Sequence, residues 1–444
     1  MDTIYAVASG RGPCGVTVLR VSGPAVRSVL ETMIGSVPEP RRASMRSIRD
    51  RNGGVLDHGL VLWFPGPGSF TGEDVVEFQV HGSRAVVAAV ERSLAQVDGV
   101  RPAEAGEFTR RAFVNGRIDL TEAEGLADLL AAETDEQRRQ ALAQSDGGLR
   151  VLYEGWRGRL IRARALIEAD LDFADEEDIP GSVVAAAEAE VGALIAALDG
   201  HLADGHRGER LRSGFRVVLA GAPNAGKSSL LNALARRDVA IVSEEAGTTR
   251  DVLEVHLDLG GWPVTVVDTA GLRDGGGAIE REGMRRARER IEAADLVLWL
   301  SAADGSDAVE GRAVEVPAGP VWRVVTKGDL VDGAPRDVGF ETDMAGFRVS
   351  VRTGDGLGAL VAAIGDAAGA GMAGGGVAPT RERHRVGVET AARALRQAYP
   401  FGARPVEIVA EDLRRAGDAL GRLTGRVDVE DLLDVVFGEF CIGK

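Results

Sequence analysis

Apolar residues in the first 118 positions come in short alternating runs broken by turn clusters. Val16-Thr17-Val18-Leu19-Arg20-Val21, Leu60-Val61-Leu62-Trp63-Phe64 and Val75-Val76-Glu77-Phe78-Gln79-Val80 have the two-residue period of strands. Pro65-Gly66-Pro67-Gly68 supplies a turn. From Ser83 to Val97 the apolar positions Val86, Val87, Val90 and Leu94 take helical spacing. Strands mixed with helices predict a compact α+β domain over residues 1–118.

The period changes after Asp119. Leu149, Leu152, Trp156, Leu160, Ala163 and Ile167 recur every three or four residues, and alanine is abundant from Ala123 to Ala197, with a break at Pro180-Gly181. A helical domain is expected over 119–208. Helical spacing returns through Val409, Leu413, Ala416, Leu420 and Leu423, and Thr424-Gly425 stops it. Asp428 is placed to cap one more helix, which would bury Leu432, Leu433, Val436 and Phe437. Isolated helices need partners for their apolar faces. The economical arrangement packs 376–444 against 119–208, with 209–375 inserted between them. Gly205 to Gly214 would form one boundary of the insertion. Ala367 to Thr380, with Gly374-Gly375-Gly376, would form the other as a loose tether.

At 444 residues the chain exceeds what one core usually serves. A net charge of -16 argues against a large basic surface that holds nucleic acid unaided, while leaving room for RNA handled with a partner. Cys14 and Cys441 stand at opposite ends of the chain, which fits a reduced, cytosolic protein better than a disulfide. Met1-Asp2-Thr3-Ile4-Tyr5 does not read as a signal peptide, and no apolar run reaches membrane-spanning length, so no membrane association is expected. Cys441-Ile442-Gly443-Lys444 has the length of a prenylation box, but Gly443 is not aliphatic and Lys444 is not a favoured last residue.

The strand Phe215 to Ala220 runs into Gly221-Ala222-Pro223-Asn224-Ala225-Gly226-Lys227-Ser228, and Ser229-Leu230-Leu231-Asn232-Ala233-Leu234 opens a helix. Strand, glycine-rich loop and helix in that order form a phosphate-binding loop, whose backbone N–H groups surround a β-phosphate. Lys227 would bridge β- and γ-phosphate oxygens, and the Ser228 hydroxyl would ligate Mg²⁺. Val264 to Val267 leads into Asp268-Thr269-Ala270-Gly271, where Asp268 would hold a magnesium-bound water and the Gly271 N–H would sense the γ-phosphate. Gly247-Thr248-Thr249-Arg250-Asp251 lies between these motifs, and Thr249 is the natural second hydroxyl for the metal. Thr326-Lys327-Gly328-Asp329 follows the strand Val321 to Val325. The Asp329 carboxylate suits guanine's N1–H and exocyclic amine, and the Lys327 stem would lie along the base. Ser350-Val351-Arg352 would close the pocket through backbone donors. The residue after Gly271 is the apolar Leu272, which cannot orient water. Glu280, at a helix start, has the reach to do so, although its position also fits a capping acid. GTP over ATP is the expected nucleotide.

These motifs, together with Gly72-Glu73-Asp74-Val75-Val76-Glu77, His81-Gly82, the run Gly106 to Arg117, Asp268 to Arg273 and Phe440 to Lys444, resemble the bacterial tRNA uridine-5-carboxymethylaminomethyl modification GTPases, the MnmE (TrmE) family, over essentially the whole chain. The resemblance implies a multidomain protein. It would have an α+β N-terminal folate-binding and dimerisation domain, an all-α central domain and an inserted P-loop NTPase module with a Ras-like α/β fold. It implies a cytoplasmic homodimer in a heterotetramer with an FAD-dependent subunit of the MnmG (GidA) family. That complex would act on the wobble uridine (position 34) of certain tRNAs, with 5-formyl- or 5,10-methylene-tetrahydrofolate as the one-carbon source.

By the same resemblance Arg20, Glu77, Arg117 and Lys444 match folate-contacting residues, and Cys441 a cysteine near them. The arginines suit folate's carboxylates, and Glu77 a ring rich in N–H donors. Asn224 matches a K⁺ ligand, with backbone oxygens of Ser243, Glu245 and Thr248 completing the shell. The nucleotide set extends through Ser229, Glu244 and Ala246, and Glu280 matches the family's water-activating glutamate. Three positions depart from the family pattern: Thr326 replaces an asparagine, Arg117 a common lysine and Arg352 a lysine of the last base-pocket motif. With a hydroxyl in place of the amide, Thr326 is expected to weaken nucleotide affinity. A second reading, a regulatory GTPase acting only through its nucleotide state, stays open and differs in having no folate site.

Overall fold

A computed structural model describes residues 2–10, 12–172, 182–237, 239–241, 254–268, 285, 288–305, 320–330, 346–374, 376–427, 430–438 and 440–443. The chain divides into two compact units, one of 1–127, 144–195 and 390–444, the other of 128–143 and 196–389.

The first unit holds a six-stranded sheet of β1 (Thr3–Val7), β2 (Cys14–Ser22), β3 (Ser44–Arg49), β4 (Val55–Phe64), β5 (Val75–Gly82) and β6 (Val100–Pro102), in the order β3-β4-β5-β2-β1-β6. Every pairing is antiparallel except β1 with β6. Alternation gives the sheet two faces. Leu19, Val21, Val76, Phe78, Val61 and Trp63 point to one and share a core with Val26, Val29, Leu30, Val90 and Leu94 of the helices Val26–Ile34 and Arg84–Leu94. The second of these helices starts where the Ser83 hydroxyl accepts from the Val86 N–H at 3.2 Å. Ile4 and Ala6 point the other way and pack with Ala103 and Phe108.

The helix Leu120–Ala131 begins with a reciprocal cap. Asp119 Oδ1 accepts from the Glu122 N–H at 2.8 Å, and Glu122 Oε2 accepts from the Asp119 N–H at 2.7 Å. Helices Gly148–Asp172 and Val406–Thr424 pack together. The stripe expected on the second is buried as written, through Val409, Leu413, Ala416, Leu420 and Leu423. On the first, Tyr153 is fully buried and Leu152 only partly. The 149-153-156-160-163-167 spacing follows the helical turn, and Leu152 falls beside it. Gly425 ends the second helix at φ 82°, where an added Cβ would come 2.6 Å from the Phe113 ring. The Glu154 carboxylate accepts from Thr424 Oγ1 at 2.8 Å and Arg426 Nε at 2.6 Å, fastening this end. Asp428 lies outside the described residues. The last helix spans Glu430–Gly438 and buries Val436 and Phe437.

The second unit is built on β7 (Phe215–Gly221), β8 (Glu254–Leu259), β9 (Trp262–Asp268), β10 (Leu296–Ala302), β11 (Val321–Thr326) and β12 (Gly346–Arg348), in the order β12-β11-β10-β7-β9-β8. All pairings are parallel except β8 with β9. Helices Lys227–Ala235 and Leu357–Met372 share one core with the sheet, through Leu230, Leu231 and Leu234 and through Leu360, Ile364, Ala368 and Met372. The tether expected from Ala367 is therefore corrected: 367–372 finish a helix whose Ala368 and Met372 are buried. Alanine and glycine there allow close packing, with Gly369 against Trp262 and Gly371 against Phe215.

Residues from 128–143 belong to this unit. The helix Asp135–Ser145 directs the Glu136 N–H to Gly261 O at 3.3 Å, in the β8–β9 turn, and Gln137 Nε2 to Arg212 O at 3.1 Å. Asp128 pairs with Arg212 and Arg381, both at 2.9 Å. Among the described residues no helix is long and apolar enough to cross a membrane.

Candidate nucleotide site

β7 has β9 on one side and β10 on the other, so the loop leaving its carboxyl end stands at the switch point of the sheet. Gly221 takes φ 139°, and a Cβ there would lie 2.3 Å from Leu300 O of the neighbouring strand. Asn224 follows at φ 66° and Gly226 at φ 88°, after which Lys227–Ala235 becomes helical. This turn aims the positive end of the helix at the loop. Ala225 is fully buried, and Ser228 and Ser229 are exposed on the first helical turn. Lys227 is 6% exposed, and its ammonium donates to Gly221 O at 2.9 Å and Ala222 O at 2.8 Å, bent over the loop it would serve.

Ser228 Oγ donates to Asp268 Oδ2 at 2.6 Å, and Asp268, at the end of β9, is 3% exposed. A hydroxyl and a buried carboxylate converging beside a phosphate-binding loop are the hard oxygen donors that suit Mg²⁺.

The residues expected to meet the base follow the carboxyl end of β11. Thr326 is 2% exposed, and its hydroxyl donates to Ala225 O at 2.7 Å and approaches Ser301 O at 3.3 Å. The hydroxyl thus ties the turn after β11 to the glycine-rich loop after β7, and it has no N–H to offer a base. Thr326→Val keeps the shape and removes this donor. The expected results are a loss of about 1–3 kcal/mol in the protection of the β11 amides and weaker GDP binding, read by hydrogen exchange and equilibrium titration. Unchanged protection and affinity would end that assignment.

Lys327, at φ 55°, places its ammonium 3.1 Å from Asp304. Asp329 sits in the turn Gly328–Leu330, its Oδ1 accepting from Ser350 Oγ at 2.7 Å and its Oδ2 paired with Arg352 Nε at 2.9 Å. The Ser350 hydroxyl is the main cause that holds the Asp329 carboxyl below the usual carboxylate range, with Arg352 adding to it. The expectation that Ser350-Val351-Arg352 would serve through backbone donors is corrected in part. The Ser350 N–H is used within its own turn, on Asp355 O at 2.9 Å, and the Ser350 and Arg352 side chains reach the aspartate instead. Asp304 was not singled out from the sequence; its place just past β10 was the available signal.

Ser243, Glu244, Glu245, Ala246, Gly247, Thr248, Thr249, Thr269, Ala270, Gly271, Leu272, Glu280 and Lys444 lie outside the described residues.

In the first unit Arg20 on β2 stands directly opposite Glu77 on β5, joined at 2.9 Å, with the guanidinium 5.8 Å from the centre of the Phe108 ring. Arg117 is exposed, and its stem passes Gly72, where a Cβ would meet it at 3.3 Å. Ile442 bridges to Ala105, which fixes the tail in this unit. A cavity of about 890 Å³, lined by Tyr5, Val7, Thr17, Val87, Glu91 and Ile442 among others, opens on the face of the sheet that Arg20 and Glu77 do not share. The sequence reading assigned no individual role to Arg111. It is 9% exposed and bonded to Asp2, Glu73 and Glu107.

A mostly parallel sheet with a glycine-rich loop and lysine at its switch point, and an aspartate at the end of the next strand over, defines a P-loop nucleotide hydrolase. A family model for the GTP-binding protein TrmE N-terminus matches residues 3–117, and one for the MnmE helical domain matches 120–441. Proteins described as tRNA modification GTPase MnmE are 54% identical in Sinorhizobium medicae, over 100% of this chain and 99% of that one. The identity is 53% in Rhodospirillum rubrum, over 100% of both chains, and 51% in Brucella anthropi, over 100% and 98%. The chain belongs to the MnmE family of tRNA modification GTPases and is a GTP hydrolase.

Proposed function

We propose that this chain is a potassium-activated GTPase subunit that works in the cytoplasm as a homodimer. With an FAD-dependent partner of the MnmG family it installs the 5-carboxymethylaminomethyl group on the wobble uridine of certain tRNAs, using a tetrahydrofolate one-carbon unit. The observation that carries the nucleotide half is the set of strand ends in one sheet: Lys227 and Ser228 after β7, Asp268 on β9, Asp329 after β11. In this reading the module 209–375 is inserted between the helical segments 119–208 and 376–444, behind a folate-binding and dimerisation domain at 1–118.

Lys227 would unbend onto the β- and γ-phosphates, and the helix N-terminus would hold them. Ser228 and Thr249 would hold Mg²⁺, and Asp268 a water bound to it. Asn224, with backbone oxygens of Ser243, Glu245 and Thr248, would hold K⁺. The two ions supply positive charge where the β–γ bridge gains negative charge. Glu280 would orient the attacking water, with Leu272 unable to. Glu280→Ala is expected to lower kcat by about 10²–10⁴-fold while GTP still binds. Single-turnover hydrolysis and equilibrium binding in KCl check it, and normal turnover would remove the role.

Arg20, Glu77, Arg117 and Lys444 are the proposed folate contacts. The half-buried pair of Arg20 and Glu77 offers a cation and a carboxylate, which suits a ligand with both carboxylates and a flat N–H-rich ring. Arg20→Ala is expected to abolish binding of 5-formyl-tetrahydrofolate in calorimetry and leave GTP hydrolysis nearly intact. A wild-type protein that bound no folate would favour the purely regulatory GTPase.

A further inference from the structure

The two oxygens of Asp329 are served from different sides. Ser350 is 1% exposed and is itself fixed by the Thr353 N–H at 3.2 Å, so its bond to Oδ1 is part of the packed turn. Arg352 is 77% exposed at its side chain and reaches Oδ2 from the solvent, while the Asp329 side chain keeps 11% exposure. With Asp329 read as the guanine selector, that remaining opening is where a base would approach.

A guanine presents two parallel N–H groups, from N1 and the exocyclic amine. An arginine presents the same pattern along its Nε–Nη edge. Guanine's pair needs one acceptor position on each carboxylate oxygen, and the Arg352 Nε already stands at one of those on Oδ2. We propose that Arg352 is a built-in competitor for the guanine-reading edge of Asp329, a weak plug that a guanine nucleotide must displace. This rests on the reading that Asp329 selects guanine. The plug opposes nucleotide binding and lowers its net affinity, because the guanidinium is tethered two residues beyond Ser350 and is always at hand. Being solvent-exposed, it is weak enough to yield. A lysine at this position has no paired N–H edge and competes less.

The test uses the full-length protein and a fluorescent GDP in stopped flow at 50 mM and 1 M KCl, with wild type, R352A, R352K and D329N. R352A is expected to bind GDP about two- to five-fold more tightly at 50 mM salt, the size of an exposed ion pair. R352K should fall between it and the wild type. The advantage should shrink at 1 M salt, where an exposed pair is screened. Unchanged or weaker binding by R352A at low salt overturns the proposal and makes Arg352 a bystander or a support for the bound base. D329N separates the two levels. If it moves preference from guanine to xanthine nucleotides and R352A does not tighten binding, only the competitor role fails. If D329N leaves guanine preferred, the base reading fails and the competitor role with it.

Discussion

Asp329→Asn is expected to lower kcat/KM for GTP by about 10²–10⁴-fold while raising it for XTP. A carboxylate accepts from both guanine N–H groups, and an amide can accept only one and sets a donor against the other. Sites built to hydrogen-bond a ligand group discriminate on this scale, because a mismatched buried partner is left unpaired. The aspartate is already prepared: Ser350 Oγ fixes Oδ1 at 2.7 Å and helps keep the group ionised. Steady-state kinetics with GTP, XTP and ATP check the exchange. If GTP remained preferred in the variant, base selection would have to be assigned elsewhere.

The second large effect concerns the first unit. Arg111→Ala is expected to destabilise it by about 3–5 kcal/mol, the usual result of removing one partner from a buried ionic cluster. The Arg111 guanidinium donates to Asp2 O and Asp2 Oδ1, both at 2.8 Å, to Glu107 Oε1 at 2.9 Å and to Glu73 at 3.1 and 3.2 Å. Glu73 and Glu107 are themselves 12% and 11% exposed at their side chains. Burial alone would raise the Glu107 carboxyl, but hydrogen bonds from Arg101, the Glu104 N–H and Arg111 outweigh it and hold it below 4.5. The stability it contributes is therefore present above 4.5 and is lost as pH falls through its lowered value. Hydrogen exchange of the β1, β2 and β5 amides at neutral pH reads the loss locally. Protection equal to wild type would show the cluster to be dispensable. Arg111→Lys keeps the charge but not the fork, and should recover only part of the protection.

The local signals in the sequence were of unequal reach. The loop from Gly221 to Ser228 could be read because strand, glycines, lysine and helix are contiguous, and the stripe from Val409 to Leu423 because one helix turns it all to one side. The region around Leu149 is helical, as its spacing predicts, but its inward tyrosine does not follow from hydrophobicity alone, since the phenol ring of Tyr153 is both polar and large. The strands Thr3–Val7 and Ser44–Arg49 were not singled out: one is short, and the other carries Arg46 and Arg49 in a run with only Ile48 buried. The run from Ala367 to Met372 read as loose because alanine and glycine say little about what they touch. Here they bring a helix close to Trp262 and Phe215. Long-range pairing was the least legible. Nothing near Arg111 in the sequence names Asp2 or Glu73, and nothing near Arg352 says that its side chain rather than its backbone meets Asp329.

The bond between the Glu136 N–H and Gly261 O joins a helix to a hairpin more than a hundred residues downstream in the sequence. That hairpin, β8 to β9, ends in Asp268, so the turn at its far end and the carboxylate beside the phosphate loop are two ends of one stiff ribbon. A tilt of the ribbon at the aspartate is a push at the glycine. Residues 128–143 would feel it through hydrogen bonds first, before any tension travelled along the covalent chain.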